Sequence, residues 1–454
     1  MSEGNSSVLE ELAQLLGENG IRQQPDDYLP EVVLKPETTE QVSGILKICS
    51  AAGQPLIPIG GKTGLVSGHV RTGDELGLSM ERMNAIEEID VTNRTMTVQA
   101  GCILQVAAEA AQEKDLLLPL DLGARGTATV GGNVSTNAGG NMVIRYGMTR
   151  DMVLGLEVVL ADGTIINSLN KMLKNNTGYD IKQWFIGAEG TLGVVTRVVL
   201  RLRPHPRSQN IAFVAVDSFT NVQGLLHHLD SRAGGSLSAF EVLWPEFYDY
   251  ITREESTHRP PLPHGSPYYV LVETQGSDES GDAEKFETIL EEAMEAGLVS
   301  DAVLTRSQSE RNALWEIRDD VLAFFNLGFF VPFDVSVTLD KMEDFVRDIR
   351  AAMKQHEDPI CVIFGHLGDC NLHVFLGSRN VETFDSDAVE ELCYSTVERY
   401  QGSISAEHGI GIAKREKLAC SRSPEEIALM ATMKKTLDPG NILNPNKLLP
   451  EAFT

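Results

Sequence analysis

The 454-residue chain is poor in the features that assign a protein quickly. Its six cysteines, at 49, 102, 361, 370, 393 and 420, contain no Cys-x-x-Cys pair. That spacing argues against a disulfide framework and fits reduced thiols. Positive charge is scarce: 38 Lys and Arg against 65 Asp and Glu leave a net charge of −27. Nucleic acid and anionic membrane surfaces repel such a chain, so neither is an expected partner. Long apolar runs are also missing. The most apolar stretch, 321–333, is short and interrupted by Asn326, so it is expected in the core rather than across a membrane. The first residues, MSEGNSSVLEEL, carry neither a basic region followed by an apolar run nor arginine-rich character. Neither a secretory signal nor a transit peptide is expected, and the expected location is cytoplasmic. No Gly-x-Gly-x-x-Gly follows a strand, which argues against a Rossmann site. Gly60-Gly61-Lys62-Thr63 ends like a nucleotide-binding P-loop, but Leu56 stands where that motif needs its first glycine.

What is present is an ordinary globular composition, 42% apolar and 23% charged, long enough for two large folding units or three smaller ones. An acidic helix and a loop are expected over 1–30. A helix is expected over 39–52: Thr38 and Gln41 have capping-box spacing, and Val42, Ile45, Leu46 and Cys49 share one face. Gly53 should end it. A buried strand at 56–59 runs into Gly60-Gly61-Lys62-Thr63-Gly64. Strands are expected within 76–100, a helix at 103–114, and a long loop over 119–141. Asp162-Gly163 signals a hairpin between 153–160 and 164–166. A strand at 194–202 leads to a linker at 203–207. Beyond it, strands (211–216, 268–273) mix with helices (282–296, 310–325, 341–355) and a proline-rich loop, 259–267. That mixture reads as α+β, with helices on an antiparallel sheet. Pro424 opens a last helix.

Three glycine-rich segments carry the first chemical signal. The first, Gly60 to Gly64, has bare backbone N–H groups suited to a diphosphate. Taken alone it is as readily a tight turn. The second holds Gly123, Gly126, Gly131, Gly132, Gly139 and Gly140 among Ser, Thr and Asn, and between 122 and 140 its only charge is Arg125. Neutral donors of little bulk suit a buried, flat, polyfunctional ligand. The third is 186–193. Together, PIGGKTG, GGNVSTNAGG and GAEGTLGVVT resemble the FAD-binding domain of the vanillyl-alcohol-oxidase and p-cresol-methylhydroxylase type, over nearly the whole chain. The resemblance implies that Gly60, Gly61, Lys62, Thr63 and Gly64 take the diphosphate. It implies that Pro119, Gly131, Gly132, Ser135, Asn137, Gly139 and Gly140 line the flavin, with Glu189 and Val195 near the adenine. Lys62 stands where some relatives carry a histidine bonded to the flavin, so FAD is expected to be non-covalent.

The second signal is His366-Leu367-Gly368-Asp369-Cys370-Asn371-Leu372-His373. On one straight strand these histidines would face opposite ways. Gly368-Asp369 signals a turn, and the two arms of a hairpin would bring both imidazoles together. Glu407-His408 adds a carboxylate and a third imidazole. Two His and one Glu match a divalent site with an open position; hydrogen-bonded histidines at an interface are the plain alternative. HLGDCNLH and SAEHGIG resemble motifs of the D-2-hydroxy-acid dehydrogenase branch of the same family. The resemblance implies that His366, His373 and Glu407 bind Zn²⁺ (or Mn²⁺, Fe²⁺ or Co²⁺), that His408 is the base, and that Asn371 and Arg318 meet the substrate. Without the resemblance, Arg318 reads as an exposed helix charge paired with Asp319 or Glu316. Cys370 departs from the glycine usual at its position.

The expected architecture is two-lobed: an FAD domain over 1–206, a substrate domain over 207–400, and a segment, 401–454, returning to complete the flavin and metal site. The expected reaction is oxidation of a D-2-hydroxy acid to the 2-oxo acid, with a quinone, cytochrome or electron-transfer flavoprotein reoxidising the FAD. A homodimer is an open arrangement. Pro332 and Phe375 stand where the D-2-hydroxyglutarate branch carries a lysine and a polar side chain, so a D-lactate-like monocarboxylate is expected over the dicarboxylates D-2-hydroxyglutarate and D-malate. The rivals are a metal-dependent hydrolase and a non-catalytic flavin subunit.

Overall fold

The computed structural model describes residues 3–17, 19–23, 28–380, 382 and 384–453. The loop expected before residue 30 therefore lies in part, at 24–27, outside the described residues. Two units are distinguished: residues 1–140, 147–205 and 407–454 form the first, and residues 141–146 and 206–406 the second.

In the first unit, the helix Thr39–Ala52 begins where Thr38 accepts the N–H of Gln41 and stops at Gly53, which is left-handed at φ 65°. It buries Val42, Ile45, Leu46 and Cys49. Strand Leu56–Ile59 pairs in parallel with Leu76–Ser79 in a four-stranded sheet. A five-stranded antiparallel sheet holds Ile86–Asp90, Thr95–Gln99, Val194–Arg201, Val153–Val159 and Ile165–Ser168, in that order. The last two strands form the expected hairpin, with Gly163 at φ 82°. The expected linker is partly structured: Arg203–Pro204 pairs with Leu116–Leu117.

The expected loop over 119–141 contains a helix, Val130–Thr136. Thr129 caps it by accepting the N–H of Gly132, and Asn137 closes it in the left-handed region. Two glycines hide this helix from a reading by propensity. Gly131 is there for packing, because a Cβ would come within 2.6 Å of the Ala100 Cβ.

The second unit is built on a seven-stranded antiparallel sheet, in the order Asp301–Leu304, Ser208–Val216, Tyr268–Gly276, Leu237–Leu243, Pro359–His366, Asn371–Ser378, Phe329–Ser336. On one face Phe213, Leu243, Tyr269, Leu271, Phe364 and Phe375 pack with Phe247 and Tyr248 of helix Pro245–Ile251 and with Leu314 and Ile317 of helix Gln308–Asp319. Fully burying each such side chain is worth roughly 1.5–3 kcal/mol.

The helix expected over 310–325 breaks at Asp320, whose ψ is 53°, and continues as a six-residue 3-10 helix, Val321–Asn326. The apolar stretch 321–333 departs from its expectation as a core segment. Phe324 and Phe333 are buried, but Leu322, Phe325 and Phe329 are exposed.

Candidate active site

In the first unit the three glycine-rich segments border one cavity of about 350 Å³. Gly60, Gly61, Lys62, Thr63, Gly64, Gly131, Gly132, Ser135, Gly139, Glu189 and Val195 line it, together with Glu407 and His408. Pro119, Asn137 and Gly140 are not among the lining residues. Asn137 closes the helix, and Gly140 donates its N–H to Glu407 Oε1 at 2.8 Å.

The glycines divide into two kinds. A Cβ on Gly61 would lie 2.1 Å from the Thr127 carbonyl oxygen, so backbone packing requires that glycine. Gly64 has nothing within 4 Å of a Cβ, and Gly132 has only the Thr129 hydroxyl. Gly64 thus leaves backbone bare where no neighbouring group needs the space. Two lining residues, Asn133 and Asn444, bury amide oxygens that lack a hydrogen-bond partner among the described residues. A buried acceptor left unpaired costs about 1–3 kcal/mol, and a ligand with N–H donors relieves it. His69 also lines the cavity, and burial and then the charges of Lys62 and Lys447 lower its pKa. A bare-backbone cradle, orphaned acceptors and cationic groups together fit a dinucleotide with a diphosphate.

In the second unit, strands Pro359–His366 and Asn371–Ser378 form the expected hairpin. The register pairs Phe364 with His373, so His366, two residues along, lies on the same face. The rings of His366 and His373 are 5.2 Å apart at their centroids, and a ligand nitrogen of each lies within 4.8 Å of the other's. Leu367–Asp369 makes the turn, and Cys370 closes it at φ 67°, where a glycine would be unstrained.

The same face carries a residue absent from the sequence reading. Glu241 lies opposite His366 in the sheet and is 1% exposed. Its Oε1 is 2.6 Å from His366 Nδ1, and its Oε2 accepts Arg318 Nε at 2.8 Å. Burial pushes the Glu241 carboxyl up, but His366 and Arg318 outweigh it and hold the pKa down, at about 2. A carboxylate can only accept, so the His366 proton sits on Nδ1 and Nε2 keeps its lone pair. Arg318 Nη2 lies 3.1 Å from that nitrogen. Arg318 is thus buried, not the exposed helix charge it would otherwise be read as, although it also lies 3.5 Å from Asp319. Beside this group, Asn371 donates to Asp334 Oδ1 at 2.7 Å, while its own amide oxygen is buried with no partner among the described residues. Asp334 is the register partner of His373.

Family models match both units of the chain. Residues 30–168 match the family described as FAD binding domain, and residues 205–448 match FAD linked oxidases, C-terminal domain. The chain is 39% identical over 424 residues to the mitochondrial D-2-hydroxyglutarate dehydrogenase of Arabidopsis thaliana, covering 93% of this chain and 76% of the relative. It is 39% identical over 429 residues to a putative mitochondrial D-lactate dehydrogenase of Schizosaccharomyces pombe, covering 92% and 81%. A structure of p-cresol methylhydroxylase with substrate bound shares the fold at a TM-score of 0.78 and 16% identity, covering 99% and 97% of the two chains. The chain belongs to the FAD-linked oxidase family, as an FAD-dependent D-2-hydroxy-acid dehydrogenase on the branch of the D-2-hydroxyglutarate and D-lactate dehydrogenases.

Proposed function

We propose that the chain oxidises a D-2-hydroxy dicarboxylate of the D-2-hydroxyglutarate class to the 2-oxo acid. FAD is held without a covalent bond by the Gly60–Gly64 loop, Gly131, Gly132, Ser135, Gly139 and Val195, with Pro119, Asn137 and Gly140 outside the cavity lining. A divalent metal, Zn²⁺ first among the candidates, is held by His366, His373 and Glu407.

The observation that carries the reading is the buried Glu241–His366 pair. A carboxylate that fixes the imidazole tautomer is the usual outer partner of a metal-bound histidine. The donor set, two imidazoles and one carboxylate, leaves positions open for substrate. Chain continuity supports the third ligand: the Ala406 N–H donates to the Asp334 carbonyl oxygen at 3.3 Å, Asp334 pairs with His373, and Glu407 is the next residue.

When bound, the metal supplies a Lewis acid for the 2-hydroxyl and FAD supplies the hydride acceptor. Arg318 receives the C1 carboxylate of the substrate by charge-assisted hydrogen bonds. The Asn371 amide oxygen offers the substrate an acceptor. His408 takes the proton of the 2-hydroxyl as general base. A quinone, cytochrome or electron-transfer flavoprotein then takes the electrons.

The relatives back the dicarboxylate better than the monocarboxylate expected from sequence. One observation favours the monocarboxylate: Pro332 and Phe375 are cross-strand partners two pairs beyond Asp334 and His373, on the same face, and Phe330 stacks on Phe375 at 4.8 Å. An apolar wall there disfavours a second carboxylate, which is costly to bury unpaired. Comparing kcat/KM for D-2-hydroxyglutarate, D-malate and D-lactate decides. The proposal expects D-2-hydroxyglutarate to lead by more than tenfold, about 1.4 kcal/mol. A lead for D-lactate overturns it.

A further inference from the structure

We infer that Glu189 acts as a positioning residue, fixing the loop that carries Glu407 and His408, rather than as a direct contact of the cofactor. The inference rests on the reading above for what those two residues do.

Three observations within the first unit carry it. Both carboxylate oxygens of Glu189 are engaged by that loop: Oε1 accepts the Ile410 N–H at 2.7 Å and Oε2 accepts the Gly411 N–H at 2.7 Å. Charge-assisted bonds of this kind are about twice as strong as neutral ones. The loop is shaped to the carboxylate. Gly409, the residue after His408, sits at φ 84°, and a Cβ there would come within 2.8 Å of Glu189 Oε1.

Glu189 is itself held rigidly from behind. Its N–H donates to the Ser135 carbonyl oxygen at 2.8 Å, and its carbonyl oxygen accepts the Asn444 amide at 2.7 Å. Its own backbone is left-handed, at φ 51°, a conformation a side chain adopts only where the surroundings enforce it. Helix Val130–Thr136, whose Ser135 borders the cavity, thereby sets the aim of a loop more than 200 residues away. At the loop's other end, Gly140 fixes one oxygen of Glu407. Glu189 and Gly140 thus bracket Glu407 and His408 from both sides.

The test uses Glu189→Gln and Glu189→Asp in the purified holoenzyme. In the glutamine variant the amide nitrogen is a donor facing a donor, so one of the two loop bonds is lost without loss of volume. Hydrogen exchange of the peptide spanning 405–413 should speed up at least tenfold, with FAD content unchanged. The kcat per bound flavin should fall at least tenfold with KM nearly constant. Loss of FAD with unchanged kcat per remaining flavin would overturn the inference and make Glu189 a cofactor ligand. Unchanged exchange would also overturn it. Exchange needs no turnover, so it tests Glu189 even if no D-2-hydroxy acid is oxidised. That second result would instead sink the proposed function.

Discussion

Glu241 changes the account of the site most. It stands in Leu237–Leu243, a strand in which all seven residues are buried. A lone carboxylate in such a strand needs a charged partner, because an isolated buried charge costs many kcal/mol. That contradiction was the available signal, and it also applies to Glu273, which accepts the Trp315 indole N–H at 3.0 Å. Both were missed because motif reading follows histidines and glycines, whereas strand carboxylates have no spacing of their own. Glu241→Gln should weaken metal binding about 10–100-fold while leaving FAD content unchanged, measured by competition with a chelator. An unchanged metal affinity would remove Glu241 from the metal's support. Arg318→Ala leaves the Glu241 charge without its guanidinium, and should destabilise the protein by about 3–5 kcal/mol in denaturant unfolding. The double variant with Glu241→Gln should recover part of that loss. His408→Ala should lose about 10²–10⁴-fold in kcat and still bind metal. A metal-free variant would make His408 a ligand.

At the scale of elements, what the sequence displays is what local chemistry dictates. The Thr38 cap, the Gly53 stop, the Asp162-Gly163 hairpin and the His366–His373 hairpin each follow from residues within one turn of the feature. The helix Val130–Thr136 did not show, because the reason for its Gly131 lies in Ala100, far earlier in the chain. The break at Asp320 was hidden by the five apolar residues, 321–325, that follow it. Strands Leu237–Leu243 and Phe329–Ser336 owe their place to long-range pairing that no local pattern marks. The Cys370 turn yields an element-scale prediction. Cys370→Gly should raise stability by about 1 kcal/mol, since glycine adopts the left-handed region without cost. A loss of stability would mean that the Cys370 side chain packs well enough to outweigh the strain.

At the scale of the molecule, the α+β class was legible in the mixture of strands and helices, and the family in the glycine-rich and histidine motifs. Every residue proposed for metal, base and substrate stands in the two motifs or in the Arg318 helix, whereas the buried partners that orient them emerged only with the sheet. No helix among the described residues is long and apolar enough to cross a membrane. Stability should also carry a signature of Lys447, which is buried and whose pKa burial lowers to about 8. Unfolded lysine titrates near 10.4. Between these values the unfolded chain binds more protons, so stability gains as pH rises through that window. Compared with Lys447→Met, the wild-type unfolding free energy should climb by up to about 3 kcal/mol from pH 8 to 10.5. Equal slopes for the two proteins would show that Lys447 is solvated.

The central claim is that FAD and a metal act together on a D-2-hydroxy acid, and anaerobic mixing of the yellow protein with D-2-hydroxyglutarate tests it most directly. The account predicts bleaching of the flavin band with the D enantiomer and none with the L. After chelation it predicts no bleaching, with the oxidised flavin spectrum intact, and re-addition of Zn²⁺ should restore the reaction. A flavin that bleaches equally well without metal would contradict the account, as would one that no D-2-hydroxy acid reduces.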